Sequence, residues 1–426
     1  MTMLSRRAVI TGFGVLSPIG NAPEALWTAL LAGTAGVGRI TLFDPSHLPS
    51  QIAGEVKDFQ PRQMIDKSYR RTLNAMARTV SLGVVGCQWA MADAGLSRGS
   101  FDPQRCGIEF ASVMGATELD DLGPAAVRSI RPDRSGPDMR AWGEHGIPEV
   151  PPLWMLKYLP NMPACHATIL YDIQGPSNTQ IIGDVAGASA LEEALRILRR
   201  QAADIMLVGG SEAKVHPLSL SRFNLFAEFS RRNEDPAGAI RPFDRNRDGT
   251  APGEGAAVFV LENLEHARQR GASIYAEVVA VASGVDRQYT GPGLARVIRQ
   301  ALALAGITPE EVDHVNAHGL GTRSGDRFEA RGIAEVFGTR TPVFAPLSRF
   351  GNLGAASALL ELACSVLALR HGALPATLNH QHPDPECPIH VHVGEPRPVR
   401  RPYVVKTTYT DLGQCAAIVI RRPDNY

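Results

Sequence analysis

Apolar residues fall along this chain in short unbroken runs separated by longer amphipathic stretches, and that alternation predicts strands followed by helices. Residues 8–16 (AVITGFGVL) read as a buried strand closing in a glycine turn, and residues 22–32 carry helical spacing. A long apolar-rich helix is predicted over 73–95, stopped by Gly95, and a short strand over 107–114. From about Thr117 to Pro152 the periodicity is lost among Pro, Gly, Asp and Arg. This stretch reads as an inserted loop or cap with short helices, of a length that usually serves function or an interface.

Regularity returns with a strand at 178–182, an amphipathic helix at 186–202, a buried strand at 204–210, a strand at 256–261 and a short helix at 262–270. At Ile274 the order restarts. A strand over 274–284 is followed by a helix over 293–305, a strand over 313–317 and a helix near 325–337. A strand over 341–345, a helix near 354–370 and two strands over 403–409 and 415–421 complete the pattern. Two similar alternations in succession predict an internal duplication, residues 1–271 and 272–426, with helices packed on two sheets in an α/β architecture.

Composition narrows the function classes. The chain has 426 residues, 44% of them hydrophobic and 20% charged, as expected of one large or two closely packed globular units. Lys+Arg and Asp+Glu number 43 each, so nothing calls for nucleic acid or a membrane surface. The six cysteines are scattered without a C-x-x-C pair or metal spacing. They read as reduced thiols in a cytoplasmic protein that needs no metal or cofactor. The apolar stretch after Ser5-Arg6-Arg7 is too short and too glycine-rich for a signal peptide or a membrane span. The glycines of GVLSPIG and GEGAA serve tight turns and close packing, because no phosphate-loop pattern surrounds them.

Six segments carry a family resemblance: VITGFGVLSPIG at 9–20, GPSNTQIIGDVAG at 175–187, ADIMLVGGSEA at 203–213, RPFDRNRDGTAPGEGAAVFVLE at 241–262, VNAHGLGTRSGDRFEA at 315–330 and GNLGAASALLELACSVLALRHG at 351–372. Together they resemble the β-ketoacyl-acyl carrier protein synthases of type II fatty acid and polyketide pathways, within the thiolase superfamily. The resemblance covers nearly the whole chain apart from 117–152. It implies a thiolase-like fold, two duplicated βαβαβαββ halves stacked as an α-β-α-β-α sandwich. It also implies a dimer with residues 152–175 near its two-fold interface, and an acyl carrier protein as partner.

A condensing synthase of this family uses a cysteine at a helix N-terminus to take the acyl chain, and two histidines to hold the malonyl thioester carbonyl. Counting from Gly175, the nucleophile's position falls on Asp184, and no cysteine lies between Cys165 and Cys364. The first histidine matches His318, the second Asn352, and the lysine before it Leu347. The glycine-rich C-terminal loop reads Thr407-Thr408-Tyr409-Thr410-Asp411-Leu412-Gly413, so only His318 is unaltered. Asp184 has two readings, a helix-capping carboxylate or an occupant of the acyl-cysteine position. His318 and Asn352 read either as a thioester-carbonyl clamp or as satisfied core polar residues. Cys165 beside His166 suggests a nucleophile pair, but adjacent side chains usually point apart. Lys67, Arg70 and Arg71 form a basic cluster where the family meets its acidic carrier protein, or a solvated face; Arg196, Arg199 and Arg200 are weaker candidates.

Three functions fit these departures. The first is a chain-length-factor-like partner that pairs with a cysteine-bearing ketosynthase. The second is non-covalent thioester chemistry, such as malonyl decarboxylation, through Asp184, His318 and Asn352. The third is an acyl-chain or carrier-protein scaffold without catalysis.

Overall fold

The computed structural model describes residues 7–423, so Ser5 and Arg6, which precede the apolar stretch read above, lie outside the described residues. Eleven strands form one mixed sheet. They are β1 (Ala8–Leu16), β2 (Cys106–Ala111), β3 (Ser177–Gln180), β4 (Ile205–Ala213), β5 (Glu254–Asn263), β6 (Ala276–Val285), β7 (Val312–Asn316), β8 (Pro342–Phe344), β9 (His390–Val391), β10 (Tyr403–Tyr409) and β11 (Gln414–Arg421). The helices that position the site are α1 (Arg78–Asp93), α2 (Leu119–Arg128), α3 (Met162–Tyr171), α4 (Ala186–Arg199), α5 (Pro217–Phe226), α6 (Pro292–Ala305), α7 (Arg323–Phe337) and α8 (Ser357–His371).

The strand order is β9-β8-β7-β10-β11-β6-β1-β5-β4-β2-β3. Leaving out the edge strand β9, the order β3-β2-β4-β5-β1 is repeated as β8-β7-β10-β11-β6. The expected two sheets are therefore hydrogen-bonded into one. Their joint is a short antiparallel ladder from Ala8↔Val278 to Ile10↔Ala276.

Helices α4 and α8 each pack on strands of both half-sheets and form the middle layer. Helix α1, backed by α3, covers the outer face of one half, and α6, backed by α7, covers the other. The α-β-α-β-α layering implied by the resemblance follows from these contacts. Burial explains the sequences of the middle helices. Every residue of α8 from Ser357 to Leu369 is buried, so it is apolar all round instead of amphipathic. On α4 small residues face α8, and a Cβ at Gly187 would stand 2.9 Å from Leu359 Cγ.

Several boundaries move for identifiable reasons. The helix expected from residue 73 begins at Arg78, because residues 67–75 wind instead as a 3-10 segment whose start is capped by Asp66. The strand expected to 182 ends at Gln180, and Gly183 turns the chain with φ +63°. Helices α3 and α5 were not predicted. Each opens with a proline in its first turn and shows little segregation of polar from apolar residues. The aperiodic stretch 117–152 holds α2 and several shorter turns. It is tied to the body by Lys157, whose Nζ donates to Asp121 at 2.7 Å, and internally by Arg128 with Glu149 at 2.7 Å. Among the described residues no helix is long and apolar enough to cross a membrane.

The glycines of the first strand have a packing role. A Cβ at Gly14 would lie 2.2 Å from Gly86 O and 2.7 Å from Ala90 N, both on α1, so this strand and helix meet backbone to backbone. Gly14→Ala should therefore destabilise the fold by about 1–3 kcal/mol through forced separation. A fall in the urea midpoint without a change of slope is the expected result.

Candidate functional site

The candidate residues gather at the carboxyl ends of strands and at the N-terminal ends of the two middle helices. Ligand crevices in open α/β sheets form at such strand ends. His318 follows β7, Lys214 follows β4 directly, and Asp411 follows β10. Asp184 stands in the one-turn segment Gly183–Val185 that runs into α4. Asn352 lies in the loop between β8 and α8. The structure thus brings Asp184, His318 and Asn352 into one region. Lys67, Arg70 and Arg71 sit apart on the 3-10 segment, with Lys67 and Arg71 exposed and Arg70 half-buried.

His318 is fully buried and held from three sides. Its backbone N–H and that of Gly319 each donate to Glu329, both at 2.8 Å. Its Nδ1 faces Glu361 at 3.0 and 3.2 Å, and the edge of its ring meets Tyr409 at a centroid separation of 5.3 Å. Glu361 in turn accepts from Lys406 Nζ at 2.6 Å. Burial opposes the imidazolium, but the Glu361 carboxylate outweighs it, with a further contribution from Asp184, so the His318 pKa lies above its ordinary value. The Nδ1 proton is thereby committed to Glu361, leaving Nε2 as the free ring atom.

Asp184 occupies the space in front of that atom. Its Oδ1 is 3.9 Å from His318 Nε2, beyond hydrogen-bond reach, and both atoms are buried without a partner. Its turn is pinned from β10 by Thr408 Oγ1, which donates to the Asp184 carbonyl at 2.9 Å. A cavity of about 460 Å³ opens beside it, lined by Asp184, Asn352, Lys214, Thr250 and Asp411 among others. Asp184, 3.9 Å from His318 Nε2, belongs to that wall, whereas His318 does not. Burial and the nearby Asp184 carboxylate hold the Asp411 pKa above its usual value.

Asn352 also lines the cavity. Its Oδ1 accepts from Lys214 Nζ at 2.9 Å and from Gly354 N at 2.6 Å. A second cavity of about 440 Å³ shares Lys214 and Phe223 with the first and continues along β4 and α5. Buried Glu212 contributes to its wall, accepting from Ala355 N at 2.7 Å.

The remaining candidates lie elsewhere. Cys165 opens onto a separate shallow pocket, while His166 is buried with its Nδ1 2.9 Å from Tyr69 Oη, so the two side chains do point apart. All six cysteines are free, and burial pushes the Cys87 thiol up to about 12. Arg196 is engaged by Glu192 and Glu193 of its own helix, and Arg199 donates to Val279 O. Leu347 is fully buried, and Glu361 takes its ammonium partner from Lys406 on β10.

Sequence reasoning missed Glu361, Lys406, Lys214 and Glu329. A signal existed for three of them. Glu361 is the one charge inside the apolar run SALLELACSVLAL, and the chain has only five lysines, two of which are Lys214 and Lys406.

Removing Glu361 would leave His318 and Lys406 buried without a counter-charge, so Glu361→Gln should cost about 3–5 kcal/mol. The sign of the pH effect follows from the raised histidine pKa. In the wild type His318 contributes stability that is complete below its ordinary 6.5 and is lost as pH rises through the raised folded value. In Glu361→Gln the folded value should fall and that loss above 6.5 should disappear. Ring NMR of His318 and denaturant midpoints across pH measure both effects.

Comparison with known proteins agrees with this fold. The model for the β-ketoacyl synthase N-terminal domain matches residues 5–267, and that for the C-terminal domain matches residues 275–381. The chain is 34% identical to the 3-oxoacyl-[acyl-carrier-protein] synthase 2 of Coxiella burnetii, over 99% of both chains. Among solved structures it resembles the ishigamide ketosynthase/chain length factor, with a TM-score of 0.87, 29% identity, and coverage of 98% of this chain and 100% of that one. It also resembles a type II polyketide ketosynthase, AntDE, in complex with its acyl carrier protein AntF and bound to the hexaketide, with a TM-score of 0.83, 27% identity, and coverage of 98% and 100%. Matched by both domain models and, at 34% identity, over 99% of its length by such a relative, the chain belongs to the β-ketoacyl synthase family.

Proposed function

We propose that this ketosynthase-like protein of the type II fatty acid and polyketide kind is a non-condensing, chain-length-factor-like partner of a cysteine-bearing ketosynthase. The observation that carries the reading is the Asp184 carboxylate, which lies just before α4 and lines the cavity 3.9 Å from His318 Nε2 while His318 itself does not line it. A carboxylate is a poor nucleophile toward a thioester, and where it stands it keeps a substrate carbonyl from His318. No cysteine lines the cavity either.

Charge argues the same way. Asp184, Asp411 and Glu228 line the cavity, with Lys214 as the one cation among the described residues of its wall. A malonyl carboxylate entering it meets like charges at short range, which disfavours decarboxylation as well as condensation. A neutral acyl thioester suffers no such repulsion. In this reading the cavity receives the end of a carrier-borne chain without capturing it covalently.

Partner surfaces follow from the family's architecture and from features of this chain. Strand β3 is an exposed sheet edge, with Ile169 and Ile181 exposed beside it, and such an edge invites pairing with a second chain. Lys67, Arg70 and Arg71 offer a basic face to an acidic carrier protein. Co-expression with a cysteine-bearing ketosynthase should yield a stable heterodimer that extends an acyl primer, while the isolated chain extends none. Extension of an acyl chain by the isolated protein with malonyl carrier protein would overturn the proposal.

A further inference from the structure

We propose that Lys214 is a positioning residue that makes Asn352 a hydrogen-bond donor toward a neutral acyl carbonyl in the cavity; this rests on the reading above, that an acyl thioester enters the cavity without covalent capture. An asparagine amide presents either an acceptor or a donor to a ligand, depending on which way it is turned. Here three donors converge on one end of it. Lys214 Nζ is 2.9 Å from Oδ1, Gly354 N is 2.6 Å away, and Ser357 Oγ is 3.5 Å away. The reverse orientation would set the amide NH₂ against an ammonium and a backbone N–H, donor against donor. Lys214 thus joins Gly354 N in holding the oxygen toward them, and among the described residues Nδ2 has no hydrogen-bond partner.

The lysine is well placed for this task. It follows β4, its ammonium lies 5.7 Å from the centre of the Phe223 ring, and it lines both cavities where they meet. Buried Glu212, beside it, has its pKa raised by burial, with the ammonium of Lys214 acting in the opposite direction. Nearby Thr250 adds a buried hydroxyl without a partner to the same cavity wall. With His318 outside the cavity wall, the free Asn352 Nδ2 is the amide donor the cavity offers. The ligand end it suits is a neutral carbonyl, thioester or ketone, since the surrounding carboxylates repel an anion.

The test uses the full chain and acetyl-N-acetylcysteamine thioester labelled with ¹³C at the thioester carbonyl. Isotope-edited infrared spectroscopy reads the hydrogen bond as a lowered carbonyl frequency in the bound state, and titration gives the Kd. Lys214→Met should abolish the Asn352-dependent part of the frequency shift as fully as Asn352→Ala does. Each should weaken binding about three- to tenfold, the worth of one hydrogen bond. The double variant should be no worse than either single one, because the two residues act as a unit. Lys214→Gln, which keeps a donor but no charge, should restore most of the shift, an outcome that a merely structural role for the lysine does not produce. A shift retained in Lys214→Met and lost only in Asn352→Ala overturns the inference while leaving the reading of the cavity intact. Failure of the wild type to bind the thioester overturns the reading of the cavity, and the inference with it.

Discussion

The arrangement of the site depends on one buried carboxylate. Glu361 lies in the middle of α8, a helix that is otherwise uncharged along its buried length and is clamped between the two half-sheets. An ionised carboxylate there is tolerated only if charges and donors reach it. Lys406 arrives from β10 and His318 from the end of β7, so one carboxylate ties the central helix to two neighbouring strands. Because Glu361 takes Nδ1, His318 must present Nε2 toward the start of α4, where Asp184 stands. The orientation of the histidine is thus a consequence of how the middle layer is made electrically tolerable.

The same layer explains why the other groups meet. Helices α4 and α8 come close because Gly187 and other small residues face Leu359, and their N-terminal ends converge at the carboxyl ends of the strands. The turn holding Asp184 is pinned from β10 by Thr408, and the loop holding Asn352 is pinned from β4 through Lys214. Asp184 lies in the turn just before α4, and its carboxylate accepts no capping hydrogen bond from either segment. Of its two readings, capping therefore has no bond behind it, and blocking is the one carried into the proposed function. In the proposed function the blocking is what separates this chain from a condensing synthase.

Much of this was legible in the residues. The strand-helix alternation anticipated the α/β architecture, because buried strands and amphipathic helices leave different periodicities. The family resemblance singled out Asp184, His318 and Asn352, and Asp184 and Asn352 share a cavity wall. The polar partners were harder to see, because pairing in a core is a relation between distant residues. Glu361 and Lys406 are 45 positions apart, and nothing local in YVVKTTY says that its lysine faces a helix. Lys214 was passed over for the same reason, its partner Asn352 being on the far half of the chain. The single continuous sheet was equally hidden, since a three-residue ladder leaves no trace in periodicity.

The central claim is that this site holds an acyl thioester without bonding to it. Intact-protein mass spectrometry after incubation with an acyl carrier protein thioester tests it most directly. The account predicts that the wild-type chain keeps its unmodified mass at saturating donor. A stoichiometric acyl adduct, mapped to a side chain of the Asp184 cavity, would contradict it.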